Sequence, residues 1–224
     1  MKKLIITIST VLFSLSHAQI DRGTVYVSGQ LNYSRQENKN GLNYNEQTLQ
    51  IIPTTGVFIV PNVALGAGLG YKYGKRDYVQ TYNYGSFSAF IDYTGKTNTI
   101  VIAPFVRKYW NLSDNLYIFG QLEVPMEFGK LNQEADVLNV SEMYGIYDQQ
   151  KLSVERKYTS IGVNVKPGFD YFLNKRWSIE ATLGEFGYHD MKYKDVDDDD
   201  NEKKYTFGLN LSSVTFGVKY IFAK

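Results

Sequence analysis

Apolar and polar positions alternate along most of the chain. From Leu116 to Gly129 one parity reads Leu116, Ile118, Gly120, Leu122, Val124, Met126 and Phe128, and the other reads Tyr117, Phe119, Gln121, Glu123, Pro125, Glu127 and Gly129. Successive side chains of a strand project to opposite faces, so this segment predicts a strand with one oily face and one face that carries charge. A soluble antiparallel sheet alternates in the same way when one face packs a core and the other meets water. Strand length and the spacing of the connections separate the two cases.

The pattern predicts eight strand-like runs, at Thr24 to Gln36, Glu46 to Val60, Val63 to Tyr78, Thr97 to Trp110, Leu116 to Gly129, Arg156 to Leu173, Arg176 to His189 and Tyr205 to Phe222. Most are longer than the roughly 5–6 residues of a soluble strand. They suit a tilted strand that crosses a bilayer in about 9–11 residues and extends beyond it. Short connections at Pro61-Asn62, Asn111 to Asn115 and Asn174-Lys175 alternate with long polar ones at Glu37 to Asn45, Val79 to Lys96, Lys130 to Glu155 and Asp190 to Lys204. Brief periplasmic turns and extended outer loops have this rhythm, and an even strand count leaves both termini on the periplasmic side. The oily parity switches twice, which predicts an irregularity near Glu185 and a bulge near Ser212-Ser213.

Hydrocarbon supplies no hydrogen-bond partner for a sheet edge, so the first and last strands must pair. The predicted fold is all-β, a transmembrane eight-stranded antiparallel up-and-down β-barrel. A barrel of that strand number has an interior just wide enough for side chains to fill. The inward parity collects Lys72, Arg107, Glu123, Glu127, Lys166, Asp170, Glu180 and Lys219, cations and anions in equal number. These are the candidate interior charges, and they suit a network of ion pairs. Gly66, Gly68 and Gly70 share that parity and leave room for long neighbours such as Arg107 or Glu123. Aromatic residues gather at the strand ends, with Tyr109, Trp110, Tyr171, Phe172, Trp177, Tyr220 and Phe222 on the turn side and Tyr73, Tyr78, Phe128, Tyr158 and Tyr188 on the loop side. They are read as two interfacial girdles.

Composition narrows the picture. The formal net charge of +1 on 224 residues carries no electrostatic footprint for nucleic acid. No segment offers the roughly 20 apolar residues of a membrane helix. Lys2 and Lys3, the apolar stretch Leu4 to Leu15 and the small residues Ser16 and Ala18 read as a secretory signal peptide cut before Gln19. The expected organisation is therefore a signal peptide over residues 1–18 and a barrel over residues 19–224. With no cysteine, neither a disulfide nor an N-terminal lipid on cysteine is available.

Together with that leader and the eight amphipathic runs, the segments Pro61-Asn62-Val63-Ala64-Leu65-Gly66-Ala67-Gly68-Leu69-Gly70-Tyr71 and Ala103-Pro104-Phe105-Val106-Arg107-Lys108-Tyr109-Trp110 make the chain resemble the small outer-membrane β-barrel proteins of Gram-negative bacteria, the broad OmpA-like and porin-like group. The resemblance covers the whole chain after the leader and records architecture rather than chemistry. It implies an outer-membrane location, insertion by the barrel-assembly machinery, and outer-membrane lipids and lipopolysaccharide as surroundings. Many such proteins end on an aromatic residue that the machinery recognises. Here Phe222 is followed by Ala223 and Lys224, which displaces that signal.

Candidate chemistry is sparse. His189, beside Asp190 and near Glu185, would be the histidine of a Ser-His-acid site at a barrel rim, as in lipid A-modifying barrels. No G-x-S-x-G nucleophile motif accompanies it, so no catalytic residue is assigned. Asp195, Asp197, Asp198, Asp199, Asp200 and Glu202 offer the oxygen ligands that Ca²⁺ prefers, but without the glycine of an EF-hand loop they read as a solvated charge run. No metal or cofactor site is assigned. Tyr82, Tyr84, Tyr93, Tyr144 and Tyr147 in the long connections suit contact with an extracellular ligand. The expected function is a structural or surface-interaction role with a filled interior; the alternatives are a narrow channel for small solutes and, further off, a lipid A-modifying enzyme.

Overall fold

A computed structural model of the chain describes residues 20–38, 43–141, 145–194, 202–206 and 214–222. The strand segments are β1 (Val25–Asn38), β2 (Asn43–Val60), β3 (Val63–Tyr84), β4 (Phe87–Ser113), β5 (Leu116–Glu123), β6 (Met126–Ser141), β7 (Ile146–Phe172), β8 (Trp177–Thr182), β9 (Phe186–Tyr193), β10 (Glu202–Thr206) and β11 (Thr215–Phe222). All pairings are antiparallel. β5 and β6 are consecutive halves of one stave between β4 and β7, and β8 and β9 are halves of the next. β1 pairs with β11 from Val25 opposite Phe222 to Leu31 opposite Phe216, which closes a ring of about eight strands. The expected signal peptide, the acidic residues Asp195 to Asp200, and Phe207 to Ser213 with the expected bulge lie outside the described residues.

The wall has an oily exterior. Val27, Leu31, Ile51, Leu65, Leu69, Ile100, Ile102, Val106, Leu122, Ile161, Val163, Val165, Ile179 and Val218 are all exposed, Leu69 to 61% and Leu122 to 50%. A continuous apolar belt of this kind is foreign to a soluble monomer and matches the lipid-facing band of a membrane barrel. On the turn side the belt ends in Trp177, Tyr220 and Phe222, with ring centroids 4.9 Å and 5.1 Å apart in successive pairs. Two of the aromatics expected in this girdle, Tyr109 and Phe172, instead turn inward. Tyr158 and Tyr78 do the same at the other end, where Tyr158 is buried and Tyr78 stacks on Tyr93. Tyrosine's strand propensity serves either face, so strand-end position does not reveal which way the ring points.

Two interruptions of the wall differ in kind. Pro125 has no N–H and breaks β5 from β6, yet Glu123 lies opposite Asn164 and Met126 opposite Ile161, so no residue is gained and the parity continues. Between β8 and β9 the count changes: Thr182 lies opposite Gly168 and Phe186 opposite Val165, so three intervening residues face two. This bulge carries Gly184 at φ 101°, a backbone conformation that side-chain-bearing residues rarely adopt. It moves the outward parity from Trp177 and Ile179 to Phe186 and Tyr188, at the place where the alternation switches.

The long connections are shorter than their polarity suggests. β3 and β4 pair without interruption up to Tyr84 opposite Phe87, around a turn at Gly85-Ser86. β6 and β7 pair up to Ser141 opposite Ile146. Most of Val79 to Lys96 and Lys130 to Glu155 is thus strand. Beyond the bilayer both sheet faces meet water, so hydrophobic alternation fades while tyrosine, threonine and valine still favour extended backbone. Among the described residues, β2 stops pairing with β3 at Val79, and β7 has its last ladder partner in β9 at Tyr158. One half of the barrel therefore rises above the other as a sheet of β3, β4, β6 and β7.

Leu122→Arg places a charge on the lipid face and should cost about 2–4 kcal/mol of folding free energy in lipid, whereas Glu123→Gln, on the lumen face of the same strand, should insert normally. Urea titration in vesicles checks both; the opposite ranking would mean that the faces are inverted.

Candidate functional site

The inward parity builds two zones inside the barrel. At the turn end an aromatic layer fills the lumen: Tyr26, Phe58, Tyr109, Tyr117 and Phe119 form one buried cluster with Ala64 and Ile221. Ring centroids lie 5.8 Å apart for Tyr26 and Phe58, 5.4 Å for Phe58 and Tyr109, and 5.9 Å for Tyr109 and Phe119. Glycine on a facing strand makes the room: a methyl at Gly56 would lie 2.6 Å from the Tyr26 ring. The inward glycines of β3 accommodate the Phe105 ring at Gly66 and Ile52 at Gly68 and Gly70, rather than Arg107 or Glu123. Ile20 caps this end. Its N–H donates to Asn62 Oδ1 at 2.8 Å, and Asn62 takes the left-handed turn position at φ 59°.

Above the rings sits a cluster of four charges. Arg107 on β4, Glu180 on β8, Lys219 on β11 and Asp170 on β7 are each no more than 1% exposed. Arg107 Nη1 donates to Glu180 Oε2 at 2.5 Å, Lys219 lies 3.2 Å from the same oxygen, and Lys219 also pairs with Asp170. Ser28 Oγ and Gln30 Nε2, both on β1, donate to Glu180 Oε1 at 2.5 and 2.8 Å. The Tyr109 hydroxyl accepts from Arg107 at 3.1 Å and from Lys219 at 3.0 Å. Both cations rest on rings, Arg107 at 4.2 Å from the Phe119 centroid and Lys219 at 4.9 Å from that of Tyr26. Two cations and two anions balance, and each charged group makes at least one hydrogen bond, as a water-poor interior requires, although Asp170 Oδ1 has no partner.

The network continues toward the hairpin end. Arg107 Nε donates to Gln121 Oε1 at 2.7 Å, Gln121 Nε2 donates to Glu123 Oε2 at 2.7 Å, and Lys166 donates to Glu123 Oε1 at 2.7 Å. Lys166 also lies 3.7 Å from Glu185, whose other contact is a 3.2 Å hydrogen bond from Asn164 Nδ2. Lys72 and Glu127 form a separate pair at 3.5 Å, and Lys72 is the most exposed of the eight charges. Above the network is a polar cavity of about 150 Å³, lined in part by Glu123, Glu127, Ser160, Lys166, Glu185 and His189. His189 therefore lies on the lumen side.

The neutral members of this network, Ser28, Gln30, Tyr109, Gln121 and Asn164, escape a search for charges alone. Their signal is polarity on the inward parity of a strand whose other face is oily. Among the described residues no group of three or more histidine, aspartate or glutamate side chains is arranged to hold a metal ion.

Closed antiparallel staves, an oily exterior and buried charges define a transmembrane β-barrel of the outer-membrane type. The sequence matches the outer membrane protein beta-barrel domain family over residues 5–222, and the chain belongs to that family. It is a protein of the outer membrane. In structure the chain is similar to the N-terminal β-barrel domain of Pseudomonas aeruginosa OprF, at 10% identity over 91% of this chain and 100% of that one, with a TM-score of 0.35. It is also similar to Ail, the attachment invasion locus protein of Yersinia pestis, at 14% identity over 90% of this chain and 99% of that one, with a TM-score of 0.34. A third likeness is to the translocator domain of the autotransporter NalP from Neisseria meningitidis, at 12% identity over 99% and 95% of the two chains, with a TM-score of 0.30. These likenesses concern the fold alone. No curated protein matches by sequence.

Glu180→Ala leaves Arg107 and Lys219 facing one carboxylate, and should cost about 3–5 kcal/mol in a lipid-based unfolding titration. Adding Arg107→Met to a Glu180→Met background should recover a large part of the loss, because it restores charge balance. A double variant no more stable than Glu180→Met alone would contradict the pairing.

Proposed function

We propose that the protein is a closed, non-conducting outer-membrane barrel that acts through the surface of its tall half. The observation that carries this reading is the sealed lumen. The aromatic layer and the Arg107, Glu180, Lys219 and Asp170 cluster lie across the path that a solute would take. A conducting pore needs a continuous hydrated route, and filling by side chains is the expected state of so small a barrel. Function then falls to the sheet of β3, β4, β6 and β7. By the usual orientation of such barrels this sheet projects to the cell exterior, with the short turns in the periplasm. Its stiffness has local sources: Tyr78 stacks on Tyr93 at 4.5 Å, Gln133 Nε2 donates to the Tyr93 hydroxyl at 2.7 Å, and Thr94 Oγ1 donates to Asp77 Oδ1 at 2.9 Å. Tyr84, Phe87, Phe90, Leu138, Tyr147 and Leu152 are exposed on it and suit an extracellular ligand or partner protein.

The role is non-enzymatic in this reading. His189 opens on the polar cavity inside the wall, away from the acyl chains that a lipid-hydrolysing site must reach. Export follows from the leader, so the mature protein begins at Gln19 and reaches its place through the barrel-assembly machinery.

In planar bilayers the purified protein should show no stable single-channel steps, and steps of constant size would favour the channel instead. Intact-mass measurement of the protein from outer membranes should give a chain starting at Gln19; retention of residues 1–18 would refute the leader assignment.

A further inference from the structure

We propose that the outward face where β6, β7 and β9 leave the oily belt is a docking site for a phosphate-bearing lipid of the surrounding leaflet. Lys130 on β6 and Lys157 on β7 are directly opposite each other. The Lys194 N–H donates to the Lys157 carbonyl at 2.9 Å, which sets Lys194 next in the same row. Like charges opposed across a ladder repel, so three neighbouring lysines at one height destabilise the sheet unless an anion joins them. Glu155 offsets part of this through a 2.7 Å pair with Lys130. Lys157 and Lys194 have no carboxylate partner among the described residues.

The ladder rung below the lysines is apolar on β3, β4 and β6, and it runs through Thr159 to Lys192 at its β9 end. Tyr71 is opposite Ile100, Ile100 opposite Phe128, and Phe128 opposite Thr159. These residues and the lysines line one groove of about 380 Å³ on the outside of the barrel. An oily groove alone accepts any acyl chain, and a lysine row alone accepts any anion. Stacked at the belt's upper edge, they match an amphiphile whose chains lie along Ile100 and Phe128 and whose phosphate meets the lysine ammonium groups. Each ammonium is a compact point charge, suited to phosphate without a fixed approach direction. Lys96, one rung higher on β4 and opposite Lys75, adds positive charge to this wall, while Lys75 itself pairs with Asp77 at 2.8 Å. The proposal rests on the belt facing lipid, not on which end of the barrel faces outward.

The test uses the folded protein in maltoside detergent micelles, which carry no phosphate and have no leaflets, so neither the host amphiphile nor a wrong orientation can mask the result. The probes are bisphosphorylated lipid A, its dephosphorylated form, and inorganic phosphate. At about fivefold per lysine near a membrane surface, the phosphorylated lipid should bind about a hundredfold more tightly than the dephosphorylated one. The Lys130→Gln/Lys157→Gln/Lys194→Gln variant should lose that difference. Glu155→Gln, which frees Lys130, should strengthen binding, and Lys175→Gln/Arg176→Gln at the turn end should leave it unchanged. Equal binding of the two lipids, an undiminished triple variant, or displacement of the lipid by millimolar inorganic phosphate would each overturn the proposal. If the triple variant does not fold, the comparison of the two lipids on the natural protein still decides.

Discussion

Hydrocarbon offers the peptide backbone nothing to bond with, and the rest of this structure follows from that deficit. An edge strand in lipid would leave a row of N–H and C=O groups unpaired, each at a cost of several kcal/mol. Pairing β1 with β11 removes the edge. Closure in turn commits every strand to one oily parity outside and one parity inside. The polar residues of the inner parity cannot reach bulk water across a lumen this narrow, so they must satisfy one another. The network from Asp170 through Lys219, Glu180, Arg107, Gln121, Glu123 and Lys166 to Glu185 is that mutual satisfaction, built from strands distant in sequence.

The same logic explains the division of labour along the barrel axis. At the turn end, rings and glycines interlock and exclude water, and Ile20 with Asn62 covers the opening. In the middle, paired charges cross the lumen. Toward the hairpins the pairs become more exposed and a small polar cavity opens. A lumen filled in this order supports the closed barrel proposed above. That barrel has a scaffold from which β3, β4, β6 and β7 extend, with Lys130, Lys157 and Lys194 in one row on its outer face.

Much of the wall was legible in the chain. Alternation identified the eight staves, and the parity switch at Glu185 located the bulge at Gly184, because a one-residue slip is the only local way to keep the oily face outside. The tall hairpins were not legible. Above the membrane apolar residues no longer keep to one face, so residues such as Tyr82 to Tyr84 and Gln133 to Asn139 lack the period that marks a membrane strand. Inward parity named Arg107 and Glu180 separately, but nothing in a sequence says that residues 73 positions apart meet across a lumen. Ring direction at strand ends was also hidden, which is why Tyr109 and Phe172 were expected in a girdle and lie in the core.

The central claim is that the oily face of the wall touches acyl chains. Because the chain has no cysteine, single cysteines at Leu69, Ile102, Leu122, Val163 and Val218 can carry spin labels without background. In lipid vesicles each label should collide far more with dissolved oxygen, which concentrates in hydrocarbon, than with a water-soluble nickel chelate. Collision dominated by the chelate at these positions would contradict the account.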